Sequence, residues 1–526
     1  MLALAPLDVW ARLIARSGGV GPRYWLRLAG VLLTSTVGTV ATLPERVLVW
    51  LWLAARGGDP ARFDHPPGVI VVAGYYRSGT THVHNLLACD PGVVTPRWAQ
   101  AMAPQGFRLS WWLTRLLLVP FVGGSRPQDA VGFGPMWPGE DDFALAGWGA
   151  CSTLPGRLVF PRRWGAWSKW NTLGGCTDRE RARWRRTMAR FAWKVTRGHR
   201  DRVLVLKTPS HGAHLGELRA VFGDRLRVVH VTREPGRVVD SNMRMHHALR
   251  RHALGDPIGA DALRARIVDE YVAIERATRD GRAALEIPSA TLAHERVVSD
   301  PVGALAGALD AIGAPMTDAH AAAVRRYLAS LGAHEPDQDG RAPLGTPGEA
   351  EADALGEIRA IHRGLDAGAP VAAPGAVPAP AAARARVGRG VLSAVGTALA
   401  CAAGWIAVVW VLRQALPHWR PRLDQLVWLM GALIGLGAAR GAGVGTRALG
   451  VVSAALTPVI FVAVSFVITV VNWNWAADGT LDQWLYHNTK GTLHGVSSSS
   501  SLVFAVLGAV TAYRHGSDDG PRAPGA

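Results

Sequence analysis

The chain has 526 residues, of which 49% are hydrophobic, and its formal net charge at pH 7 is +17. This length exceeds one small domain and leaves room for a globular unit of about 300 residues together with a second unit. The basic residues accompany no nucleic-acid-binding motif, so we expect no nucleic-acid partner and attribute the charge to a membrane surface and a polyanionic ligand. The four cysteines share no metal-like spacing, and neither a disulfide framework nor a metal site is predicted.

The first 60 residues are predicted to form membrane-proximal helices. One apolar stretch covers Leu28–Leu43, is interrupted by Pro44-Glu45-Arg46 and is followed by a second apolar stretch at 47–53. A proline usually ends or kinks a helix. We therefore expect an amphipathic pair of helices, packed on the rest of the chain or lying in the membrane interface, rather than a membrane span.

A phosphate-binding loop is predicted at residues 74–81, between an apolar strand at 68–73 and a helix. Gly74 and Gly79 keep the frame of a Walker A loop and Thr81 fills its Ser/Thr position, but Thr80 stands where the lysine should be. The basic residue is Arg77 instead. Because the Walker lysine reaches the β- and γ-phosphates, this loop favours a nucleotide that lacks a γ-phosphate.

Two further strands are predicted at 203–207 and 226–232, each followed by a helix. Strands that alternate with helices indicate a parallel α/β sheet, whose ligand lies at the carboxyl ends of the strands. Lys207 ends the first of these strands and is one of only four lysines among 57 basic residues. Arg233 follows the second strand, and Ser241 lies eight residues later, about two turns along a helix that begins at Pro235.

The C-terminal part is predicted to be an all-α transmembrane domain. An Ala/Pro-rich linker at 366–390 leads into apolar segments at 391–412, 426–439, 448–471 and 493–513, followed by a tail at 514–526. We expect about four spans in a domain covering 391–513. Seven basic residues flank the spans on one side against four on the other, which favours a cytoplasmic position for the residues before the linker.

The loop and the Arg233–Ser241 spacing together resemble the sulfotransferase family, and in particular a bacterial branch of it. Four segments match motifs of that branch: Arg77–Leu87, Arg126–Asp129, Pro138–Asp142 and Leu206–His211. The resemblance covers roughly residues 25–315. It implies a P-loop-like domain, here placed at 61–365, in a multi-pass protein of the bacterial inner membrane with this domain in the cytoplasm.

The resemblance also implies a co-substrate, 3′-phosphoadenosine 5′-phosphosulfate (PAPS), and a role for each matched residue. The 5′-phosphosulfate would bind the loop, the adenine would stack on His82, and Lys207 would stabilise charge on the bridging oxygen, with no metal required. Two residues are equal candidates for the general base, His211 and Glu140. The residues implied in cofactor binding are Arg77, Ser78, Gly79, Thr80, Thr81, His82, Arg233 and Ser241.

The predicted activity is transfer of a sulfuryl group to a hydroxyl or amine of an acceptor that is a small molecule, a lipid or a glycan. The segment 155–170, which contains Arg157, Arg162 and Arg163, is expected on the acceptor side. Two other functions are compatible with the loop: a P-loop phosphotransferase, and a non-catalytic, membrane-anchored nucleotide-binding protein.

Overall fold

The structure is a computed structural model. It describes residues 4–55, 66–111 with 114 and 118, 134–331, 348–367, 391–399 and 450–458, together with a few isolated positions. The chain divides into two compact units, one formed by 1–381 with 523–526 and the other by 382–522.

A five-stranded parallel sheet forms the centre of the first unit. The strands are arranged in the order β2-β3-β1-β4-β5, so β1, which precedes the loop, lies between β3 and β4. The register places Val72 of β1 beside Lys207 of β3 and Gly74 of β1 beside Val231 of β4. The strands are β1 Val69–Gly74, β2 Val93–Val94, β3 Val203–Lys207, β4 Leu226–Thr232 and β5 Ser289–Ala293.

Helices cover both faces of the sheet, as the uninterrupted burial of β1, β3 and β4 requires. Odd-numbered positions of β1, such as Val69 and Val71, belong to a core shared with α1, α6 and α7, whereas Ile70 and Val72 face α3, α11 and α12. The helices are α1 Leu7–Arg16, α2 Trp25–Ala55, α3 Thr80–Leu87, α4 Trp98–Met102, α5 Asp141–Ala144, α6 Asp178–Thr196, α7 Leu215–Phe222, α8 Pro235–Leu249, α9 Ala260–Leu285, α10 His294–Ser299, α11 Pro301–Ala311, α12 Asp318–Ser330 and α13 Glu349–Ala367.

The N-terminal region differs from the predicted helix pair. A single helix, α2, runs through Pro44, and the expected break does not occur. A proline inside a helix costs about 3 kcal/mol, but here the helix packs along the body of the unit on both sides of the proline. Within the described residues, Pro22–Ala55 is the one helical segment long and apolar enough to cross a membrane.

Little of the predicted transmembrane domain falls in the described part of the chain. The stretches 391–399 and 450–458 are helical, in agreement with an all-α domain at those positions. The rest of the four expected spans, the linker from 368 onward and the tail lie outside the described residues, as does the predicted motif at Arg126–Asp129.

Candidate active site

Three neighbouring strands end at the same edge of the sheet and bring the predicted site residues together. The loop 74–81 continues from β1, Lys207 is the last residue of β3, and Arg233 follows β4 directly. Because β1 lies between β3 and β4, the loop has Lys207 on one side and Arg233 on the other. Parallel sheets of this kind bind ligands at the carboxyl ends of their strands.

The loop has the backbone conformation of an anion-binding turn. Arg77 and Gly79 adopt positive φ angles of 75° and 101°, and α3 begins at Thr80, so that the loop ends at a helix N-terminus. Gly79 has no room for a side chain, since a Cβ atom would lie 2.4 Å from His294 Nδ1. The Ser78 hydroxyl is buried and has no hydrogen-bond partner in the structure. An unsatisfied buried hydroxyl in such a turn fits a loop that receives a phosphate oxygen.

The predicted 3′-phosphate residues lie against the loop. Arg77 Nε donates a hydrogen bond to Ser241 Oγ at 3.1 Å, and Arg233 Nη1 donates one to the backbone oxygen of Arg77 at 3.3 Å. Asn242, next to Ser241 on α8, donates from its side-chain nitrogen to the Tyr76 oxygen at 2.6 Å. The loop and α8 are thereby joined, with two guanidinium groups and a hydroxyl in one place.

Lys207 and Glu140 form an ion pair on the other side of the loop. The Lys207 Nζ contacts Glu140 Oε1, and the lysine side chain is almost fully buried. Glu140 precedes α5 and keeps 15% of its side-chain surface exposed. Lys207 and one of the two candidate bases are therefore in direct contact, and this candidate keeps part of its surface exposed.

His211, the other candidate base, is enclosed. Its Nε2 lies 2.5 Å from Asp141 Oδ2, its Nδ1 lies 3.3 Å from His214 Nδ1, and the side chain has no exposed surface. His214 Nε2 in turn donates to the Trp170 oxygen at 2.9 Å, so His214 Nδ1 is an acceptor. Both ring nitrogens of His211 therefore face another polar side chain inside the protein, and neither reaches the surface.

Asp141 is the site residue whose role the sequence did not reveal. Its Oδ1 accepts the backbone N–H of Lys207 at 2.9 Å, while Oδ2 faces His211. Burial alone would raise the pKa of Asp141, but the adjacent His211 outweighs burial and the pKa is lowered. The triplet Glu140-Asp141-Asp142 was visible as an acidic cluster at a helix start, yet its contact with residues 66 to 70 positions away is a tertiary feature.

Asp142, the third member of the triplet, accepts the Ser152 hydroxyl at 2.8 Å. Burial raises its pKa to about 7. Its backbone N–H donates to Thr208 Oγ1 at 3.1 Å, which ties α5 to the segment that follows β3.

The remaining predicted residues lie close to the loop without a demonstrated role. Thr81 and His82 are half-buried at the start of α3. Arg157, expected on the acceptor side, is instead fully buried, pairs with Glu270 and lies 3.8 Å from the centre of the Tyr76 ring. Together with Trp164 and residues of α8 it lines a pocket of about 280 Å³.

A cluster of potential metal ligands lies elsewhere among the described residues. The side chains of His230 on β4, Glu275 on α9 and His362 on α13 place ligand atoms within 4.8 Å of one another. Burial would raise the pKa of Glu275, but His230 and His362 outweigh it and lower this pKa to about 2. Since His230 Nε2 lies 3.0 Å from Glu275 Oε2, a buried hydrogen bond accounts for the contact between these two residues.

Comparison with solved structures gives matches to two mycobacterial proteins. Sulfotransferase STF1 from Mycobacterium tuberculosis matches with a TM-score of 0.45 and 16% identity, over 64% of this chain and 87% of that chain. Sulfotransferase STF9 from Mycobacterium avium matches with a TM-score of 0.45 and 17% identity, over 68% of this chain and 95% of that chain.

Comparison of sequences gives the family. The model described as "Sulfotransferase family" matches residues 166–318, a range that includes Lys207, His211, Arg233 and Ser241. The omega-hydroxy-beta-dihydromenaquinone-9 sulfotransferase Stf3 of Mycobacterium bovis is 30% identical over 267 residues, which is 50% of this chain and 67% of that relative. The Mycobacterium tuberculosis Stf3 matches with the same values. Identity at this level over two thirds of the relative shows that the chain belongs to the sulfotransferase family and is a sulfotransferase.

Proposed function

We propose that the protein transfers a sulfuryl group from PAPS to a hydroxyl group of a lipid-like acceptor. The observation that carries the proposal is the arrangement at the edge of the sheet, where the loop has the Lys207–Glu140 ion pair on one side and Arg233 and Ser241, each in contact with Arg77, on the other. The 5′-phosphosulfate would lie on the loop, against the backbone N–H groups of residues 78–81 and the Ser78 hydroxyl. The 3′-phosphate would lie between Arg233 and Ser241.

In the proposed reaction, the acceptor oxygen bonds to sulfur while the bond from sulfur to the 5′-phosphate oxygen breaks. The electron pair of the broken bond remains on that oxygen, and the products are a sulfate monoester and adenosine 3′,5′-bisphosphate. The Lys207 ammonium would stabilise the charge that develops on the leaving oxygen. Arg77 would balance negative charge on the oxygens of the bound phosphosulfate.

We assign the general base to Glu140 and a positioning role to His211. Glu140 is partly exposed and touches Lys207, whereas both nitrogens of His211 are occupied and its side chain is buried. The acceptor proton would pass to the Glu140 carboxylate. The Asp141–His211 contact holds the start of α5, and so the Glu140 backbone, against the end of β3.

The lipid-like acceptor rests on the relatives and on the N-terminal helix. The relative Stf3 is named for a hydroxylated dihydromenaquinone, which is an apolar molecule with a hydroxyl group. An apolar helix long enough to cross a membrane is present in the same unit as the site. Both features favour a hydroxyl acceptor delivered from a membrane over a soluble glycan.

We further propose the domain order 1–60, 61–365, 366–390, 391–513 and 514–526, with the last apolar domain in the bacterial inner membrane and the enzymatic domain in the cytoplasm. The division of contacts near residue 382 supports a boundary in the Ala/Pro-rich segment. The distribution of basic residues around the expected spans favours a cytoplasmic position for the enzymatic domain.

Calorimetric titration of the full chain in mild detergent with adenosine 3′,5′-bisphosphate and with AMP tests the donor. We expect the bisphosphate to bind tighter by about 1.5 kcal/mol or more, the scale of a hydrogen bond to a charged group. Ser241→Ala should reduce this difference, and Ser299→Ala, a substitution at an exposed serine, should leave it unchanged. Equal binding of the two nucleotides would refute the 3′-phosphate site.

The acceptor class is tested by transfer of ³⁵S from labelled PAPS. An ω-hydroxylated polyprenyl quinone in mixed micelles should accept label, whereas a soluble sugar and the same quinone without its hydroxyl should not. Labelling of the sugar alone would contradict the lipid-like acceptor while leaving the donor assignment intact.

A further inference from the structure

Helix α2 contacts the body of its unit along one narrow stripe. The stripe residues follow one another at alternating intervals of three and four, the spacing that keeps side chains on one helix face. Each is buried or half-buried. They are Leu28, Val31, Ser35, Gly38, Thr42, Glu45, Val49 and Trp52.

The partners of the stripe lie in the body of the unit from one end of α2 to the other. Ser35 Oγ donates to the Ala5 oxygen at 2.6 Å, and Gly38 lies so close to Leu4 that a Cβ atom would be 2.4 Å from its carbonyl oxygen. Further along, Glu45 Oε1 accepts from Lys194 Nζ at 2.7 Å. Near the end, the Trp52 ring stacks on Trp193 with centroids 4.6 Å apart.

This contact excludes a transmembrane position for α2. From Leu28 to Trp52 the stripe is about 36 Å long at 1.5 Å per residue, which exceeds the ~30 Å hydrocarbon core of a bilayer. A helix that spanned the membrane would therefore carry the body of the unit into the hydrocarbon with it. That body has charged residues such as Arg108 and Lys194 directly at the contact.

The opposite face of α2 is apolar and exposed. Leu26, Leu33, Val40 and Val47, each seven residues from the next, have between 45% and 89% of their surface exposed. The charged residues of α2 are Arg27, Glu45 and Arg46, and the one carboxylate among them faces the body. The helix thus offers a long apolar surface without an acidic group. Apolar surfaces of this extent mark contact with a protein or a membrane.

A pocket rich in arginine lies at the flank of the same helix. It has a volume of about 290 Å³ and is formed by α1, α2 and α6 with the loop near Trp148. Its basic lining residues are Arg12, Arg46, Arg183, Arg186 and Arg190.

Positive charge exceeds negative charge in this pocket. Asp8 is its one acidic lining residue and pairs with Arg12 at 3.0 Å and with Arg46 at 3.3 Å. Among the described residues, Arg183, Arg186 and Arg190 have no carboxylate partner, and the buried Nε of Arg190 has no hydrogen-bond partner. Burial and the nearby Arg186 lower the pKa of Arg190. A pocket of this kind is suited to a phosphate group.

We propose that this N-terminal face docks on a bilayer that contains anionic phospholipids. Helix α2 lies parallel to the membrane with its apolar face among the acyl chains of one leaflet, and the arginine pocket holds a lipid phosphate. Arg46 connects the two features, because it lines the pocket and precedes Val47 of the apolar face. Charge favours this occupant over a protein cover, since an anionic membrane surface attracts arginines while the apolar face needs no polar partner. The proposal goes beyond the transfer reaction and does not depend on its donor.

The position of α2 is tested by the depth of four labels. Leu26→Cys, Leu33→Cys, Val40→Cys and Val47→Cys are made one at a time in the full chain with Cys89 and Cys401 replaced by alanine, and each is labelled with an environment-sensitive fluorophore. The protein is placed in nanodiscs, and the fluorescence is quenched by lipids that carry spin labels at different depths. Ala329→Cys, at an exposed position of α12, is the control.

Equal depth at all four positions is the expected result, with no quenching of the control. A spanning helix would instead move each label about 10.5 Å deeper or shallower than the previous one, and this result would overturn the proposal. Absence of quenching at all four positions would also overturn it, and would indicate that the C-terminal segment or a second copy of the chain covers α2.

The pocket is tested by calorimetry of the full chain in detergent with short-chain phosphatidylglycerol, short-chain phosphatidylcholine and inorganic phosphate. We expect phosphatidylglycerol to bind at least tenfold tighter than the other two. The double variant Arg183→Gln/Arg186→Gln should lose this preference, and the control Arg225→Gln/Arg325→Gln, at exposed arginines elsewhere, should keep it. If free phosphate bound as tightly as phosphatidylglycerol, the pocket would be a general anion site. If both lipids bound equally, or if the pocket variant had no effect, the arginines would not select the headgroup. Each of these results would overturn the lipid assignment.

Discussion

Two buried lysine–glutamate pairs in the same unit have the same chemistry and different surroundings. In the Lys194–Glu45 pair, the carboxylate also accepts the backbone N–H groups of residues 108–110, and the ammonium also donates to the carbonyl oxygens of Pro104 and Gln105. Both side chains are at most 1% exposed. In the Lys207–Glu140 pair, the lysine is buried but 15% of the glutamate side chain remains exposed.

The Lys194–Glu45 pair is fully enclosed, whereas the Lys207–Glu140 pair, to which we assign the proposed reaction, is open on one side. A buried ion pair is stable when further hydrogen bonds satisfy its charges, as they do around Glu45. Burial lowers the pKa of Lys194 to about 8 despite the adjacent Glu45. The loss of hydration at the ammonium is therefore large, and the hydrogen bonds around the pair must compensate for it. Glu140 is open on one side, and a substrate that reaches Lys207 can replace it as the partner of the ammonium.

The largest expected effect comes from removing the base. Glu140→Gln keeps the shape of the side chain but cannot accept a proton, and we expect kcat to fall by about 10²- to 10⁴-fold. Steady-state transfer of ³⁵S measures this change. Binding of adenosine 3′,5′-bisphosphate should be unchanged, and Glu295→Gln, at an exposed position, should have full activity. Full activity of Glu140→Gln would refute the assignment of the base.

Removing one partner of the structural pair should affect stability instead. Lys194→Met leaves the Glu45 carboxylate buried without its cation, and we expect the free energy of unfolding to fall by about 3–5 kcal/mol. Urea unfolding of the full chain in mild detergent, followed by tryptophan fluorescence, measures this. The double variant Glu45→Leu/Lys194→Met should recover part of the loss. If the double variant lost the sum of both single losses, the two residues would not act as a pair.

The enclosed histidine gives a smaller effect that distinguishes positioning from base catalysis. His211→Asn removes one of the two hydrogen bonds from Asp141 or His214, and we expect kcat to fall about tenfold, or ~1.4 kcal/mol, with nucleotide binding retained. The KM for the nucleotide should be unchanged, and His211→Gln should retain more activity than His211→Ala because its amide can keep one of the two contacts. A fall of more than 10²-fold in all three variants, with nucleotide binding intact, would identify His211 as the base.

A further prediction concerns the pH dependence of stability and a buried titratable group outside both pairs. Burial lowers the pKa of His246 to about 3, so the folded chain keeps this imidazole neutral while the unfolded chain takes up a proton below about pH 6.5. Stability is therefore present above pH 6.5 and falls as the pH decreases toward 3, by up to about 1.4 kcal/mol per pH unit. His246→Leu should reduce this slope because it removes the group that takes up the proton. The substitution breaks no hydrogen bond of Nε2, since this atom has none in the structure. His247→Leu, at an exposed position, is the control, and equal slopes in both variants would contradict the prediction.

Local sequence patterns predicted the central strands well. The expected strands at 203–207 and 226–232 match β3 and β4 without a shift, and the helix expected from Pro235 is α8. Apolar β-branched runs and a proline at a first helical position are strong local signals. The two-residue strand β2 gave no such signal, because it pairs with β3 through only two positions.

The sequence predicted which residues belong to the site, but it did not predict which of them contact one another. The Arg77–Ser241 contact joins residues 164 positions apart, and the Asp141–His211 contact joins residues 70 apart. The sequence therefore left His211 and Glu140 equal as bases, and only their unequal burial distinguishes them. Tertiary packing also explains why a single helix replaces the predicted N-terminal helix pair. Pro44 is a local signal for a break, whereas the contacts that keep α2 continuous come from distant parts of the unit.

The distance between Glu45 and Lys194 along the sequence also matters while the chain is being synthesised. The two residues are 149 positions apart, and at a synthesis rate of about 5–20 residues per second the lysine is made ~7–30 s after the glutamate. During that interval the Glu45 carboxylate lacks its cation, and the end of the stripe that packs on Trp193 and Lys194 has no partner, although the Ser35–Gly38 part can already pack on residues 4–5. We therefore expect the C-terminal end of α2 to stay exposed on the nascent chain until residue 194 has left the ribosome.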